Sequence, residues 1–437
     1  MTAYLRRMYL LIFLIFSIAT LRAQSGLQIQ FQPEEITAQF SQPAFLSIHQ
    51  MKSFSVGVGG EYGLAANTLS VNRLLMDDSF ISKEEKDVLV GQMGDDNRLR
   101  LGFNQLAMLN LAVKNQRISI SFRDFQGGYF RINNPSTAGL ILYGNAPYAG
   151  QTVTDENITL RNLRFREIGV GSAWKAGDFS IGLRLKALIG SYGNFTDNLS
   201  YSLFTAEDGS DIRLNSNYQI FNGKSGAGLG ADLGFVYQPN EKILLQAAVR
   251  DLGFISWNGI RRDNQVSISY EGVDLNQFID TDFSTGGQLF TPDTLQELFF
   301  PDSASGTYRM NMPGNFSIGG SWEFSTGKTI SASVNGGFSQ YAAWTPTPLV
   351  NVGYSHQLWR PLTIGVNAFV GGMEGFGFGG FVRANVSLAD QYGVSLFVAA
   401  DNAAGLISPE TARGFALQGG ITVRMLQEPA ASAVPAQ

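Results

Sequence analysis

The sequence predicts an antiparallel up-and-down β-barrel that spans a membrane. Three observations lead to this fold class. Apolar and polar residues alternate along many segments, tight turns alternate with long loops, and no apolar run reaches the roughly 18 residues of a membrane helix. Since unpaired backbone groups are too costly in lipid, a chain that crosses a membrane without helices must use strands that close into a barrel.

The composition agrees with strands that face lipid on one side. Only 15% of the 437 residues are charged, against roughly 25% in soluble domains. The 50 glycines and 32 phenylalanines suit lipid-facing strands. The chain has no cysteine, which excludes a lipid-anchored cysteine, disulfides and thiolate metal sites. Its two histidines, His49 and His356, are too few and too far apart for a zinc site.

The first 23 residues have the layout of a secretory signal. Arg6 and Arg7 precede an apolar core, Met8–Ala19, and Ala23 offers a cleavage point before Gln24. A buried N-terminal helix is the alternative. Removing residues 1–23 takes away three arginines and lowers the formal net charge from −5 to −8, so the basic footprint of a nucleic-acid-binding protein is absent.

The alternation is clearest between Phe179 and Ile189, where apolar residues alternate with Ser180, Gly182, Arg184 and Lys186. It returns in four further segments: Leu229–Tyr237, Leu362–Val370, Tyr392–Val398 and Phe415–Val423. A closed sheet of about 14 strands is too wide for side chains to fill, so the apolar faces should point outward and the polar faces should line the lumen. A secreted sandwich or propeller, the main rival, would need its apolar faces inside.

The turns predict the number of strands. Tight connections fall at Lys114–Gln116, Lys175–Asp178, Pro239–Glu241, Ser325–Lys328, Leu358–Pro361 and Ala389–Gln391. These six hairpins, an opening strand near Lys52–Tyr62 and a closing strand near Arg413–Leu426 give 14 strands. The segment Phe195–Asn222 reads as an additional hairpin, most simply a β-extension above the membrane. If it were inserted instead, the barrel would have 16 strands.

The connections on the other side are long. They cover Gly63–Asn97, Ile132–Asn157, Tyr192–Gly226, Phe254–Met312 and Asp401–Ala412, with shorter ones near Ala342–Thr345 and Gly371–Gly375. Short turns in the periplasm and long loops outside are typical of outer-membrane barrels. Two loops contain helix signals: a capping box at Ser82–Glu85 and an amphipathic stretch at Asp293–Phe300.

The tryptophans lie where two interfacial belts are expected. Trp174, Trp322 and Trp359 are close to short turns, and Trp257 and Trp344 are at the long-loop ends. Indole rings prefer membrane–water interfaces. Tryptophan at strand ends is also common in soluble sheets.

The sequence offers no catalytic, cofactor or metal site, and the protein is predicted not to be an enzyme. Neither histidine is placed to attack a lipid in the outer leaflet. Acidic residues occur in two outer loops: Asp77, Asp78, Asp95 and Asp96 in the first, and Asp274, Asp280, Asp282 and Asp302 in the second. They could hold calcium or bind lipopolysaccharide through divalent ions, but the spacing matches no calcium loop and favours solvated charge. The glycines at 371–372 and 375–380 join two strands, so they are not a phosphate-binding loop.

Three stretches carry a resemblance to known proteins: Gln42-Pro43-Ala44, Leu69–Asp78 and Leu229–Trp257. Together they resemble an uncharacterised outer-membrane family of Bacteroidota-type bacteria, a domain of unknown function. Its plan is similar to the FadL-type transporters of long-chain fatty acids and to PorV. The resemblance implies a 14-stranded barrel whose N-terminal segment, including Gln42, Pro43 and Ala44, forms a hatch in the lumen.

The chain departs from these relatives in two places. FadL-type chains tend to carry Asn-Pro-Ala near the hatch, where this chain has Gln42. Outer-membrane barrels usually end on an aromatic residue, whereas this chain continues from Met425 into a tail rich in proline and alanine. The predicted organisation is therefore a signal peptide at 1–23, a hatch at 24–51, a barrel at 52–426 and a disordered periplasmic tail at 427–437.

The predicted function is passive passage of small hydrophobic compounds across the outer membrane of a Gram-negative bacterium, as in FadL-type channels. The alternatives are a non-transporting assembly or secretion partner, similar to PorV, and a structural or adhesive surface protein. Fold alone does not decide among them. The expected partners are outer-membrane lipid and lipopolysaccharide, a hydrophobic small molecule and proteins of envelope assembly, with no nucleic acid.

Overall fold

The structure, a computed structural model, describes residues 29–74, 82–113, 116–270, 304–338, 348–388 and 391–426. Fifteen strands account for most of these residues. They are β1 (Phe54–Ala66), β2 (Asn97–Val113), β3 (Gln116–Ile132), β4 (Thr152–Ala176), β5 (Phe179–Thr205), β6 (Ile212–Asn240), β7 (Ile243–Tyr270), β8 (Ala304–Asn311), β9 (Asn315–Ser325), β10 (Lys328–Gly337), β11 (Leu349–Trp359), β12 (Leu362–Gly371), β13 (Gly375–Leu388), β14 (Tyr392–Asn402) and β15 (Gly414–Met425).

The strands form one closed antiparallel barrel with 14 strand positions. Each strand except β8 pairs with the next along the chain, and β1 closes the barrel by pairing with β15 from Ser55↔Arg424 to Ala65↔Gly414. β8 and β9 share one position beside β7: β9 pairs with the first part of β7 and β8 with its later part. The prediction of 14 strands is confirmed, and the 16-stranded alternative is not adopted.

The two ends of the barrel differ as predicted. At one end, the turn end, two-residue turns such as 177–178, 326–327 and 360–361 join neighbouring strands. β1 begins and β15 ends at this same end. The opposite end, the loop end, carries the long connections. No helix in the described ranges is long and apolar enough to cross a membrane.

An apolar band surrounds the outside of the barrel. On β5 the outward side chains of Phe179, Ile181, Leu185 and Ile189 are about half exposed, whereas the inward Arg184 is buried. Each of the 14 positions contributes at least one exposed large apolar side chain to the band. The predicted apolar outer face is confirmed. The inner face combines polar and charged side chains with apolar ones such as Leu106 and Phe381, so the predicted polar lumen face is confirmed only in part.

The predicted long loop at Tyr192–Gly226 is wrong. These residues continue β5 and β6, and only residues 206–211 lie between the two strands. The same applies to the start of the predicted loop Phe254–Met312, where β7 continues to Tyr270. The reason is that strand pairing persists beyond the apolar band, where exposed residues such as Asn215 and Asn217 are polar. The extension predicted for Phe195–Asn222 is therefore confirmed as part of β5 and β6.

Short helices cover part of the loop end. Ser82 caps the helix Lys83–Gln92: its Oγ accepts from the Glu85 backbone N–H at 3.2 Å, and its own N–H donates to Glu85 Oε2 at 2.9 Å. This confirms the predicted capping box. Lys86 Nζ then donates to the Leu142 carbonyl at 2.8 Å and ties the helix to the neighbouring helix Pro135–Tyr143.

Several sequence-based expectations concern residues outside the described ranges. They are the signal peptide at 1–23, the first residues of the proposed hatch at 24–28, the helix Asp293–Phe300, Trp344 and the tail at 427–437. These remain predictions.

The extension can be tested with engineered disulfides, because the chain has no native cysteine. Asn217 on β6 and Gln265 on β7 are register partners and both are exposed. Oxidation should cross-link Asn217→Cys with Gln265→Cys, since directly opposed Cα atoms lie within the reach of a disulfide. A mass shift after proteolysis measures the bond. The control pair, Asn217→Cys with Ser267→Cys, is offset by two residues and should stay reduced; equal cross-linking of both pairs would contradict the register.

Candidate functional site: the plugged lumen

Residues 29–51, called the plug below, fill the turn-end half of the barrel interior. The plug contains a short 3-10 turn (Ile29–Phe31), an α-helix (Ile36–Ser41) and a second 3-10 helix (Pro43–Ser47). Its apolar side chains pack against inward residues of the wall, in one cluster that includes Ile29, Ile36, Phe40, Phe45, Leu106, Met108, Val236, Leu244, Phe381 and Phe397. The expected placement of the N-terminal segment inside the lumen is confirmed.

Gln42 joins the plug helix to the second helix and to the wall. Its Nε2 donates to the Ala247 carbonyl at 3.0 Å and to the Phe235 carbonyl at 3.3 Å. Its Oε1 accepts from the Ala44 N–H at 3.2 Å and so caps the helix that begins at Pro43. Asparagine, which FadL-type chains tend to carry at this position, is one carbon shorter than glutamine. Its amide would therefore reach less far toward the wall carbonyls that Gln42 contacts.

Two glycines of the wall make room for Gln42-Pro43-Ala44. A Cβ atom at Gly182 on β5 would lie 2.3 Å from the Ala44 backbone nitrogen. One at Gly234 on β6 would lie 1.9 Å from Gln42 Oε1. Real Cβ atoms do not approach other atoms this closely, so any side chain at either position would displace the plug.

Two neighbouring carboxylates tie the plug to the strands at the turn end. Glu34 lies 2.9 Å from Arg424 and 3.1 Å from His49 Nδ1, and Glu35 accepts a hydrogen bond from the Ser395 hydroxyl. Burial acts to raise the pKa of Glu34, but the hydrogen bond and charge of His49, together with Arg424, bring its pKa below the ordinary value. For Glu35, burial prevails over Ser395 and the pKa is raised.

A layer of six buried charged side chains crosses the inner wall next to the plug. It consists of Arg123 on β3, Glu167 on β4, Arg184 and Lys186 on β5, Asp232 on β6 and Asp251 on β7. Lys186 Nζ lies 2.6 Å from Asp232 and 2.7 Å from Asp251. We call this group the charge layer. Three cations face three anions, so its formal charges balance.

The charge layer also holds the plug helix. Arg184 donates to the Phe40 carbonyl at 2.8 Å and to the Gln39 carbonyl at 3.0 Å, and its other contact is Asp232 at 3.2 Å. The Phe40 ring lies 4.7 Å from the Arg184 guanidinium and 5.4 Å from that of Arg123, the distance range of cation–π contacts. The C-terminal end of the plug helix is thus bound to the wall through buried charge.

Beyond the charge layer, toward the loop end, the inner wall from β3 to β8 becomes apolar. This apolar wall comprises Phe125, Tyr129, Leu163, Phe165, Leu188, Phe195, Phe221, Ile255, Trp257, Met310 and Met312, with Tyr308 against it. Phe195 stacks on Tyr308 with a centroid separation of 5.0 Å. A polar lumen face is expected of a wide barrel, so this sector departs from the pattern.

Trp257 lies at the centre of the apolar wall and is fully buried. Its indole covers four glycines of β5 and β6, namely Gly190, Gly193, Gly223 and Gly226; a Cβ at Gly190 would lie 2.5 Å from the ring. Small residues therefore leave the space that the indole occupies.

The burial of Trp257 corrects its predicted role as an interfacial anchor. A bulge at Asp251, which has a φ of 56°, shifts the register between β6 and β7. Before the bulge the exposed Leu245 faces outward, and after it the same odd-numbered positions face inward. One extra residue reverses the faces of a strand, so Trp257 points into the lumen. Trp174, Trp322 and Trp359 are each more than half exposed at the turn end.

Other candidate residues from the sequence analysis make hydrogen bonds and ion pairs that serve the fold. His49 is buried between Gln39 and Ser55, with Nδ1 3.2 Å from Gln39 Nε2 and Nε2 2.9 Å from Ser55 Oγ. In the first acidic loop, Asp96 accepts from Arg98 and Arg131. Among the described residues no cluster of His, Asp and Glu could hold a metal ion. The acidic residues of the second loop lie outside the described ranges, as do Asp77 and Asp78.

Fold and lumen define the class of this protein as an antiparallel β-barrel with an N-terminal plug. Residues 194–401, which run from β5 to β14, match the model of a family of unknown function (DUF5723). The predicted resemblance to an uncharacterised family is confirmed over these residues. A search of curated proteins finds no match.

Several solved structures are similar to this chain at low sequence identity. The chain is similar to a Pseudomonas aeruginosa FadL homologue (10% identity, 92% of this chain and 98% of that chain, TM-score 0.49). It is also similar to the Ralstonia pickettii toluene transporter TbuX (11% identity, 90% and 94%, TM-score 0.49). A third similar structure is the Pseudomonas putida toluene transporter TodX (10% identity, 89% and 92%, TM-score 0.45).

Replacing Arg184 should loosen the plug. Arg184→Met removes two donors to the plug backbone and leaves buried Asp232 short of a cation. Breaking a buried ion pair on one side costs about 3–5 kcal/mol. Urea unfolding in detergent, followed by intrinsic fluorescence, measures the loss. Arg213→Met is the control, because Arg213 pairs with Asp211 on the exposed extension and should change stability little. Equal stability of the two variants would contradict the anchoring role.

The two plug carboxylates should respond to pH with opposite signs. The raised pKa of Glu35 means that stability present at low pH is lost as the pH rises through that pKa. The lowered pKa of Glu34 means that its contribution is present above the ordinary carboxyl pKa and is lost as the pH falls. At pH 8, Glu35→Gln should therefore unfold at a higher temperature than the parent, and Glu34→Gln at a lower one. Shifts of the same sign would refute this assignment.

Proposed function

We propose that this chain is an outer-membrane barrel that admits small hydrophobic compounds into its lumen and releases them when the plug shifts. The apolar wall carries this proposal. Aromatic and aliphatic side chains line a continuous inner sector from β3 to β8, although a lumen that only carries water and ions needs polar lining. An apolar inner surface lowers the free energy of a hydrophobic solute relative to water.

The outer surface supports a position in a membrane. On β5 the exposed apolar residues run from Phe179 to Ile189, about ten residues, which matches the length of a tilted membrane strand. Past this band, exposed residues of the β6–β7 extension such as Asn217 are polar and suited to water. Trp174, Trp322 and Trp359 at the turn end are proposed to mark the periplasmic interface. Export through a signal at residues 1–23 belongs to the same proposal.

The plug and the charge layer form the barrier to passage of a solute through the lumen. A solute resting against the apolar wall meets the charge layer and then the packed plug before it reaches the turn end. Because the charge layer is internally paired, it has little net attraction for free ions. Passage needs the contacts of Arg184 with the plug backbone to open, because these contacts hold the plug helix to the wall beside the charge layer.

Transport through the lumen can be tested by uptake in a Gram-negative host that lacks barrels of this kind. Cells that carry the protein should take up radiolabelled octanol at least about threefold faster than cells without it. Gly234→Val should raise uptake further, because its side chain would occupy the space of Gln42 Oε1 and displace the plug. Gly94→Val is the control, since no atom lies within 4 Å of a Cβ there.

Two outcomes would oppose the proposal. One is octanol uptake equal to that of cells without the barrel, for the parent and for Gly234→Val, when surface labelling shows both in the outer membrane. The other is faster uptake of a hydrophilic sugar than of octanol by the parent. The protein would then be a closed platform or a general pore.

A further inference from the structure

Two arginines, Arg164 and Arg166, point outward from the barrel wall on the loop-end side of the apolar band. They lie on β4 in the same alternating row as the exposed Ile168 and Val170, which belong to the band. Because β4 runs from the loop end to the turn end, both arginines follow these two residues toward the loop end. We call Arg164 and Arg166 the arginine pair.

The neighbouring strand β5 places the arginine pair at the edge of the band. Arg166 is the register partner of Ile189, the last residue of the exposed apolar run that begins at Phe179. Arg164 is the register partner of Tyr192, which lies beyond that run. Tyrosine is enriched at membrane–water interfaces, and arginine near an interface keeps its charged end in water or among polar headgroups. The arginine pair therefore lies where the headgroups of the facing lipid leaflet are expected.

Both guanidinium groups lie against one carboxylate, that of Asp124 on β3. Arg164 donates to its two oxygens, from Nε at 3.0 Å and from Nη2 at 2.7 Å. Arg166 Nε lies 3.6 Å from Asp124 Oδ2, which is beyond hydrogen-bond distance. One carboxylate thus faces two cations, and the three side chains together keep one positive charge.

The carboxylate of Asp124 is covered, whereas the two guanidinium groups are open to the outside. The Asp124 side chain is 9% exposed, and those of Arg164 and Arg166 are 37% and 53% exposed. Asp124 lies opposite Gln105 on β2, and Arg164 lies opposite Gln126 on β3, so the adjoining residues are amides. A group that approaches from outside therefore meets N–H donors before it meets the carboxylate.

A phosphate monoester on a hydrocarbon chain matches this surface. It has three terminal oxygens and carries about 1.5 to 2 negative charges at pH 7, and arginine binds such groups in a two-pronged contact. Arg166 makes no hydrogen bond to the described residues, so its guanidinium can offer that contact. The exposed Ile168 and Val170 continue from it into the band and provide an apolar surface for the chain.

We propose that the arginine pair binds a phosphate group of lipid A, the membrane anchor of lipopolysaccharide, with the acyl chains lying along Ile168, Val170 and Ile189. The contact is direct and needs no divalent cation. It differs in this respect from binding through the acidic outer loops. The inference rests on the proposed function, which places the loop end of the barrel at the outer leaflet, and it adds a specific lipid partner.

Native mass spectrometry of the purified full-length protein in detergent measures lipid binding directly. Diphosphoryl lipid A should bind about tenfold tighter than phosphatidylglycerol, whose phosphodiester carries a single charge, and phosphatidylethanolamine should bind weakest. EDTA should leave lipid A binding unchanged, because no divalent cation takes part. Inorganic phosphate in about hundredfold excess should not displace lipid A, since it lacks the acyl chains that bury apolar surface.

Two variants should change lipid A binding in opposite directions. Arg166→Gln removes the open guanidinium and should weaken binding about tenfold. Asp124→Asn keeps the size but removes the competing negative charge, so it should strengthen binding about threefold. A gain of affinity does not result from a damaged fold. Arg261→Gln is the matched control, because Arg261 is 52% exposed and pairs with Asp263 on the extension beyond the band, and it should bind lipid A as the parent does.

Three results would overturn the inference. They are unchanged lipid A affinity in Arg166→Gln, an equal loss in Arg166→Gln and Arg261→Gln, and loss of binding in EDTA. Displacement by inorganic phosphate would also overturn it, because the site would then bind free phosphate and not a lipid. Lipid binding is measured without transport, so a failure of octanol uptake in cells is a separate result that refutes passage through the lumen alone.

Discussion

Closure of the hydrogen-bond ladder between β1 and β15 is the constraint on which the rest of this structure depends. Once the first and last strands pair, none of the described strands has an open edge at the level of the apolar band, and the outer surface can be apolar around its whole circumference. Fourteen strand positions also make the interior too wide for wall side chains to fill. The chain fills that space with its own N-terminal segment, so the plug is a direct consequence of the barrel's width.

The interior of the barrel consists of regions that differ in polarity and charge. Packed apolar contacts hold the plug at the turn end, a neutral layer of buried charges lies beside it, and an apolar and a polar sector share the remaining wall. Buried charges are tolerated when every one has partners of opposite sign, and the charge layer meets this condition through contacts across five neighbouring strands. The same arrangement places Arg184 where it binds both wall and plug, so the anchoring of the plug is coupled to the state of the charge layer.

The sequence alone was sufficient for the number of strands and for the faces they present. Alternation and turn residues are local signals. A lipid-facing strand needs apolar side chains at outward positions such as Leu185. The position of the plug came from family resemblance and not from periodicity. The charge layer could not be predicted, because Arg123, Glu167 and Asp251 occupy inward positions that look like water-lined ones until the register of five strands is known. Trp257 was misplaced because a one-residue bulge leaves no clear mark in an alternating pattern.

The unequal strand lengths have a consequence for the shape of the entrance. β6, with 29 residues, measures about 95 Å along its axis, whereas β12, with 10 residues, measures about 33 Å. Among the described strands, one side of the rim therefore rises far above the other. An opening shaped this way faces sideways, toward the low side of the rim. A solute that approaches from the low side meets the entrance directly, whereas one that approaches from the tall side first meets the paired strands of the extension.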